Sequence, residues 1–312
     1  MFRLRKSVTP STDSDQSPEA QLRRIAERLE AIEAELGELK QLQRLLPAIL
    51  RRLYLQDASL PPPFDLTAHR FGLVSQNGED GLLLALFKRI GVGDRRFVEI
   101  GCGVNGGNSG FLALECGWRG LMVDARGAAI DRIRVRYAGY DVLPLRRKVT
   151  AEQVNGTLEK FGFTGELDLL SIDIDGMDYW VWKAIDACTP RVVAIEYNYL
   201  FGPDVSVTVP YDPEFDLSKA PTRAYRGASL AALAHLGRRK GYRLVATERV
   251  NAFFVRDDVA GDLPACEASG IYRGPGNRVK DVLGKLATFG LPLVTVDATG
   301  EGAPAVLAAD AP

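Results

Sequence analysis

Arg96-Phe97-Val98-Glu99-Ile100-Gly101-Cys102-Gly103-Val104-Asn105-Gly106-Gly107-Asn108-Ser109-Gly110 passes from an apolar run into five glycines. A short apolar run that ends in a carboxylate and then breaks into glycines reads as a buried strand, a tight turn and the start of a helix. Glycine lets the backbone of such a turn approach a ligand closely. The next apolar run, Gly120-Leu121-Met122-Val123-Asp124, again ends in an acid.

Two ligand chemistries compete for this pattern. Gly101, Gly103 and Gly106 satisfy G-x-G-x-x-G, and Asp124 lies about where a dinucleotide-binding fold places the carboxylate that holds the ribose. An acid two residues before the first glycine would sit against the pyrophosphate of NAD. A methyl-donor site has no phosphate there and accepts an anion facing a cationic amino-acid tail. At these residues the stretch resembles motif I of the class I S-adenosylmethionine (SAM) methyltransferases, E/D-x-G-x-G, with Asp124 as their ribose-binding acid. The resemblance implies SAM as cofactor, held by Glu99, Gly101, Cys102, Gly103, Asn108, Asp124 and Ala125, with Cys102 a small residue in the turn. Val149-Thr150 falls where this fold usually places the adenine.

A second strand carries Leu167-Asp168-Leu169-Leu170-Ser171-Ile172-Asp173-Ile174-Asp175-Gly176. Two carboxylates two residues apart at a strand's end project to the same side and repel, which packing alone does not explain. The carboxyl end of a strand is where open α/β sheets bind ligands. With Pro190 to Asn198 after it, this segment resembles the I-D-V-E-G motif and following strand of FkbM-type methyltransferases, with Asp175 in place of the usual Glu. The resemblance covers roughly residues 70 to 255 and implies a doubly wound α/β fold, a seven-stranded mostly parallel sheet. In such enzymes a polar segment before the first strand lies over the cofactor, which makes Gln76 and Glu79 further contacts; caps of the following helix account for the same polar residues.

A hydroxyl attacks a methyl sulfonium only with help from a base or a cation. Asp173, Glu196 and Asn198 resemble the all-oxygen magnesium site of catechol-type O-methyltransferases, a ligand set suited to Mg²⁺ or Mn²⁺. Here Tyr197 separates the last two, a departure from that site that leaves only one of them to reach a metal in this reading. Without a metal, Asp173 or Asp175 is the general base, its pKa raised by its neighbour.

Composition limits the other classes. The 312 residues are 46% hydrophobic and 25% charged with a net charge of -1, so the basic excess that nucleic-acid binding requires is missing. The four scattered cysteines fit neither a disulfide framework nor a zinc site and suit a reducing cytosol. No apolar run is long enough to span a membrane, and a cytoplasmic location is expected.

Residues 1–18 are polar and read as a disordered tail. In residues 19–60, Leu22, Ile25, Leu29, Ile32, Leu36 and Leu39, then Leu46, Leu50 and Leu53, recur in steps of three and four, the seam of a coiled coil and hence of a homo-oligomer. Pro47 is expected to kink or end this helix, and Pro61-Pro62-Pro63 to act as a stiff spacer. The methyltransferase domain is expected over 64–258, ending in a hairpin of Gly241–Ala246 and Asn251–Val255, with 259–312 an extension holding one helix, Val279 to Thr288. Tyr199 to Gly227 reads as a covering loop over a small-molecule or glycan substrate, its aromatic residues facing a sugar ring or serving packing. Arg132, Arg134 and Arg136 with Arg146-Arg147-Lys148 read as solvated charge or as a surface for an anionic substrate. An NAD-dependent oxidoreductase and a non-catalytic oligomeric scaffold are the rival readings.

Overall fold

The computed structural model describes positions within residues 21–37, then residues 66–274, 279–298 and 302–305. The chain divides into two compact units, Met1–Ser59 and Leu60–Pro312. In the first, the described residues are helical, and Leu22, Ile25, Leu29, Ile32 and Leu36 are all exposed. The tail, the later leucines of the seam, Pro47 and the triple proline lie outside the described residues.

The second unit is built on one sheet in the order β3-β2-β1-β4-β5-β8-β7. Its strands are β1 (Arg96–Ile100), β2 (Arg119–Asp124), β3 (Val142–Arg146), β4 (Gly165–Ile172), β5 (Cys188–Glu196), β7 (Tyr242–Glu248) and β8 (Asn251–Arg256). The pairs among the first five are parallel, and β8 runs antiparallel to both β5 and β7. The terminal hairpin thus folds back, so that its second strand inserts beside β5.

Side chains alternate between two separate cores, as a sheet covered on both faces requires. Val98, Ile100, Leu170, Ile172, Val193, Ile195 and Phe254 join one core. Phe97, Leu169, Val192, Ala194, Phe253 and Val255 join the other. The second is closed by α1 (Glu79–Ile90), α2 (Gly110–Cys116) and α3 (Gly127–Arg136), through residues such as Leu82, Leu86, Leu112, Ile130 and Ile133. The first is closed by α4 (Val154–Lys160), α5 (Asp178–Ala184) and α6 (Leu230–Arg239), through Leu158, Trp182, Leu233 and Leu236. This is the doubly wound, mostly parallel seven-stranded architecture expected from the sequence.

The extension makes structure that the sequence pattern does not announce. After α7 (Ala268–Ile271), helix α8 spans Val279–Thr288, the bounds expected for it. Then β9 (Leu293–Val296) pairs on one side with β10 (Gly302–Ala305) and on the other with β6 (Val207–Thr208) of the 199–227 segment, an antiparallel three-stranded sheet. Met177, Phe201, Val207, Val209, Leu286 and Leu293 form a third small core at that junction. The covering segment is therefore a packed subdomain, with the chain's C-terminal part as its partner. No helix among the described residues is long and apolar enough to cross a membrane.

Candidate functional site

Parallel order brings the carboxyl ends of β1 to β5 to one edge, and a cavity of about 520 Å³ opens there. Its floor is Ile100, Gly101, Asp124, Ala125, Thr150, Asp173 and Asp175, and its cover is the stretch from Tyr211 to Arg223.

The glycine turn is held from beneath. Gly101 has φ +92°, and a Cβ there would lie 1.7 Å from the Asp173 carbonyl oxygen, so the turn can pass over the end of β4 only without a side chain. Glu99 is fully buried, and its carboxylate accepts the N–H groups of Ser109 at 2.9 Å and Asn108 at 3.3 Å and the Ser171 hydroxyl at 2.8 Å. Burial pushes its pKa up to about 7 against the pull of those donors. Its oxygens face the N–H groups of Asn108 and Ser109, ahead of α2, and lie outside the cavity lining. Asn108 is likewise buried, its side chain donating to Ser171 at 3.1 Å and accepting from Asn251 at 3.4 Å. Cys102 is buried and also off the lining; burial and the nearby Glu99 and Asp124 charges hold its thiol in the protonated form.

Asp124 does line the cavity, from the end of β2. It accepts the Gly103 N–H at 3.0 Å, the Arg126 N–H at 2.8 Å and the Arg126 guanidinium at 3.0 and 3.1 Å. Arg126 is largely exposed, so this side chain can leave Asp124 at little cost.

The polar segment before α1 serves its own fold. Asp80 accepts the N–H groups of Leu73, Val74 and Ser75 at 2.7, 2.8 and 3.2 Å, and Glu79 holds Asn77 and Asn251. Gln76 is exposed and outside the cavity lining.

At the ends of β4 and β5, carboxylate oxygens of Asp173, Asp175 and Glu196 lie within 4.8 Å of one another. Asp175 takes a left-handed conformation, φ +58°, which turns its carboxylate back toward Glu196. Asp178, fully buried, accepts the N–H groups of Ile174 and Gly176 and fixes this turn. The cation among these acids is a guanidinium: Arg226 lies 2.9 Å from Glu196 and pairs with Asp175. Asn198 is not part of the cluster. Its amide donates to the backbone oxygens of Ala224 and Arg226 at 2.8 and 2.9 Å, and its oxygen caps the turn at Leu200. The trio Asp173, Glu196 and Asn198 read as metal ligands is therefore not assembled, because Asn198 braces the backbone that carries Arg226. Burial, then the Asp175 charge, raises the Asp173 pKa to about 6. Burial and the Asp173 charge raise Glu196 well above its ordinary value.

Of the aromatic residues in the covering segment, Tyr211 and Phe215 face the cavity. Phe201 is fully buried in the third core, and Tyr225 donates its hydroxyl to Pro292 at 2.8 Å. The cover is fastened to the floor by Lys148 to Glu214 at 3.3 Å and by the Tyr211 hydroxyl to Glu152 at 2.6 Å. Arg147 and Arg223 also line the cavity, and neither makes an ion pair among the described residues. Sequence reasoning missed Arg226, which no spacing ties to Glu196. The available signal was an excess of four acids at two strand ends, which calls for a buried cation.

No family model and no curated protein matches this chain. Among solved structures it is similar to an O-methyltransferase from Bacillus cereus in complex with SAH, at 18% identity and a TM-score of 0.30 over 53% of this chain and 79% of that one. It is also similar to a protein named TnmH, at 15% identity and a TM-score of 0.34 over 77% and 70%. Likeness at this level carries no argument about activity, which rests on the site itself.

Proposed function

We propose that this chain is a SAM-dependent methyltransferase acting on a hydroxyl of a sugar, glycan or glycosylated metabolite. The observation that carries the reading is the Glu99 carboxylate on the N–H groups of Asn108 and Ser109, at the end of the glycine turn just ahead of α2. A dinucleotide fold offers the glycine turn and the helix start to a pyrophosphate; here a buried acid has taken two N–H groups of that turn and adds negative charge beneath it. An uncharged ribose at Asp124 and an adenine beside Val149 and Thr150 suit the rest of the floor. Gly101, Gly103 and Ala125 give the ligand backbone to lie against.

SAM, when bound, supplies a methyl group activated on a sulfonium. The chain's own part is to place the acceptor and take its proton. Asp173 lies in the same cavity as Asp124, and a pKa of about 6 leaves it ionised yet basic enough for a hydroxyl proton near neutral pH. Tyr211 and Phe215 give the cover apolar ring faces against which a sugar can lie. Arg147 and Arg223 favour an acceptor that also bears an anionic group. No step is assigned to Mg²⁺ or Mn²⁺, since a guanidinium stands among the acids.

The exposed stripe from Leu22 to Leu36 supports association of copies of the chain through their N-terminal helices. Light scattering on the full chain against a chain beginning at Phe64 tests this, a monomeric full chain excluding it. The activity is tested by a methyl-transfer screen with labelled SAM over neutral glycans, nucleotide sugars and lipid-linked saccharides. Label on a sugar oxygen supports the reading; SAM binding with no transfer to any acceptor leaves the scaffold reading in its place.

A further inference from the structure

We infer that Arg226 is the resident cation of the acid cluster, a guanidinium brought by the covering segment to the place a divalent ion would take, so that the cluster excludes metals. Three carboxylates within 4.8 Å of one another form a ligand set for a hard cation, and like charges so close, with Glu196 buried and Asp173 half-buried, call for one. Arg226 meets that requirement. Its two terminal nitrogens go to different acids, Glu196 and Asp175, and its side chain is only 20% exposed.

The residue is also fixed in place from behind. Asn198 holds the carbonyl of Arg226, and the adjoining Gly227 N–H donates to the Gly176 carbonyl at 3.1 Å, on the turn that carries Asp175. The cation and two of its acids are thus tied together through backbone as well as charge. Burial works against the charged guanidinium, but Glu196, Asp175 and Asp173 outweigh it and keep Arg226 protonated. A metal would have to displace a charged group that cannot lose its proton.

Arg226 is accordingly a positioning residue. It joins the end of the cover to the ends of β4 and β5 and does not pair directly with Asp173, which lines the cavity beside Glu196. Its role as a base's neighbour rests on the proposed methyl transfer; exclusion of metal does not, and the test uses binding alone.

Mn²⁺ binding is read by electron paramagnetic resonance on the wild-type chain, on Arg226→Gln, Arg226→Lys and Glu196→Gln, and on Arg226→Gln combined with Glu196→Gln. Circular dichroism checks that each variant is folded. The expected result is no Mn²⁺ bound by wild type or Arg226→Lys, affinity at least about tenfold tighter in Arg226→Gln, and loss of that gain in the double variant. Wild type that binds Mn²⁺ with an affinity lowered by Glu196→Gln overturns the inference, as does a folded Arg226→Gln that gains none. If Arg226→Gln does not fold, the wild-type arm and Arg226→Met decide by the same criteria. SAM binding, measured separately, fails or succeeds independently of these results.

Discussion

Asp124 accepts the backbone N–H of Gly103 at 3.0 Å while its other oxygen receives the N–H of Arg126 at 2.8 Å, so one carboxylate joins the glycine turn to the exit of β2. A ligand hydroxyl that reaches Asp124 must replace the exposed Arg126 guanidinium, not the backbone donors. Each charge-assisted hydrogen bond lost with Asp124→Ala removes about 1.5–3 kcal/mol, or roughly ten- to a hundredfold in SAM affinity. Arg126→Ala has the opposite sign and leaves SAM affinity equal or improved. Calorimetry on the two variants checks both; unchanged affinity in Asp124→Ala removes the assignment.

The buried Glu99 makes stability depend on pH. Its pKa rises from 4.5 to about 7 on folding, so between those values the folded chain holds a proton that the unfolded chain has released. Stability is therefore highest on the acid side of this window and declines as pH rises through it, by up to about 3 kcal/mol from this group. Asp178, also pushed up to about 7 by burial, adds in the same direction. Melting temperatures of the wild-type chain are expected to fall between pH 5 and pH 8, and a rise over that range contradicts the account.

Turnover carries the opposite dependence, because Asp173 must be ionised to accept a proton. With its pKa near 6, the rate is expected to increase with pH through that value and then level off. Asp173→Asn should abolish turnover while SAM still binds. An active Asp173→Asn enzyme excludes this residue as the base.

Much of the fold is legible in the sequence because burial on both faces of a parallel sheet writes itself as short apolar runs, and each ligand-facing end is marked by an acid. Glu99, Asp124, Asp173 and Glu196 all sit at the strand ends where they were expected. What could not be read is which way each acid turns. Glu99 goes under the glycine turn, where the Asn108 and Ser109 N–H groups meet it, and Asn198 turns to the covering segment, where two backbone carbonyls accept its amide. Neither choice leaves a trace in spacing. The pairing of β6 with β9 is hidden for a related reason: a two-residue strand has no period, and its partner lies far along the chain.

That pairing makes the C-terminal region a support for the cover. A chain ending at Thr288 loses β9 and the Pro292 carbonyl that holds Tyr225, and exposes Val207, Val209 and Leu286. The expected outcome is faster tryptic cleavage at Lys219 and Arg223 and loss of acceptor turnover, with SAM affinity retained because the floor of the cavity is untouched. Unchanged cleavage in the shortened chain refutes the supporting role.

The central claim is that this cavity holds a methyl donor and not a dinucleotide. Titration calorimetry of the full chain with SAM and, separately, with NAD tests it most directly. Saturable binding of SAM at one site per chain, with no heat from NAD, is the predicted result; tight binding of NAD without binding of SAM would contradict it.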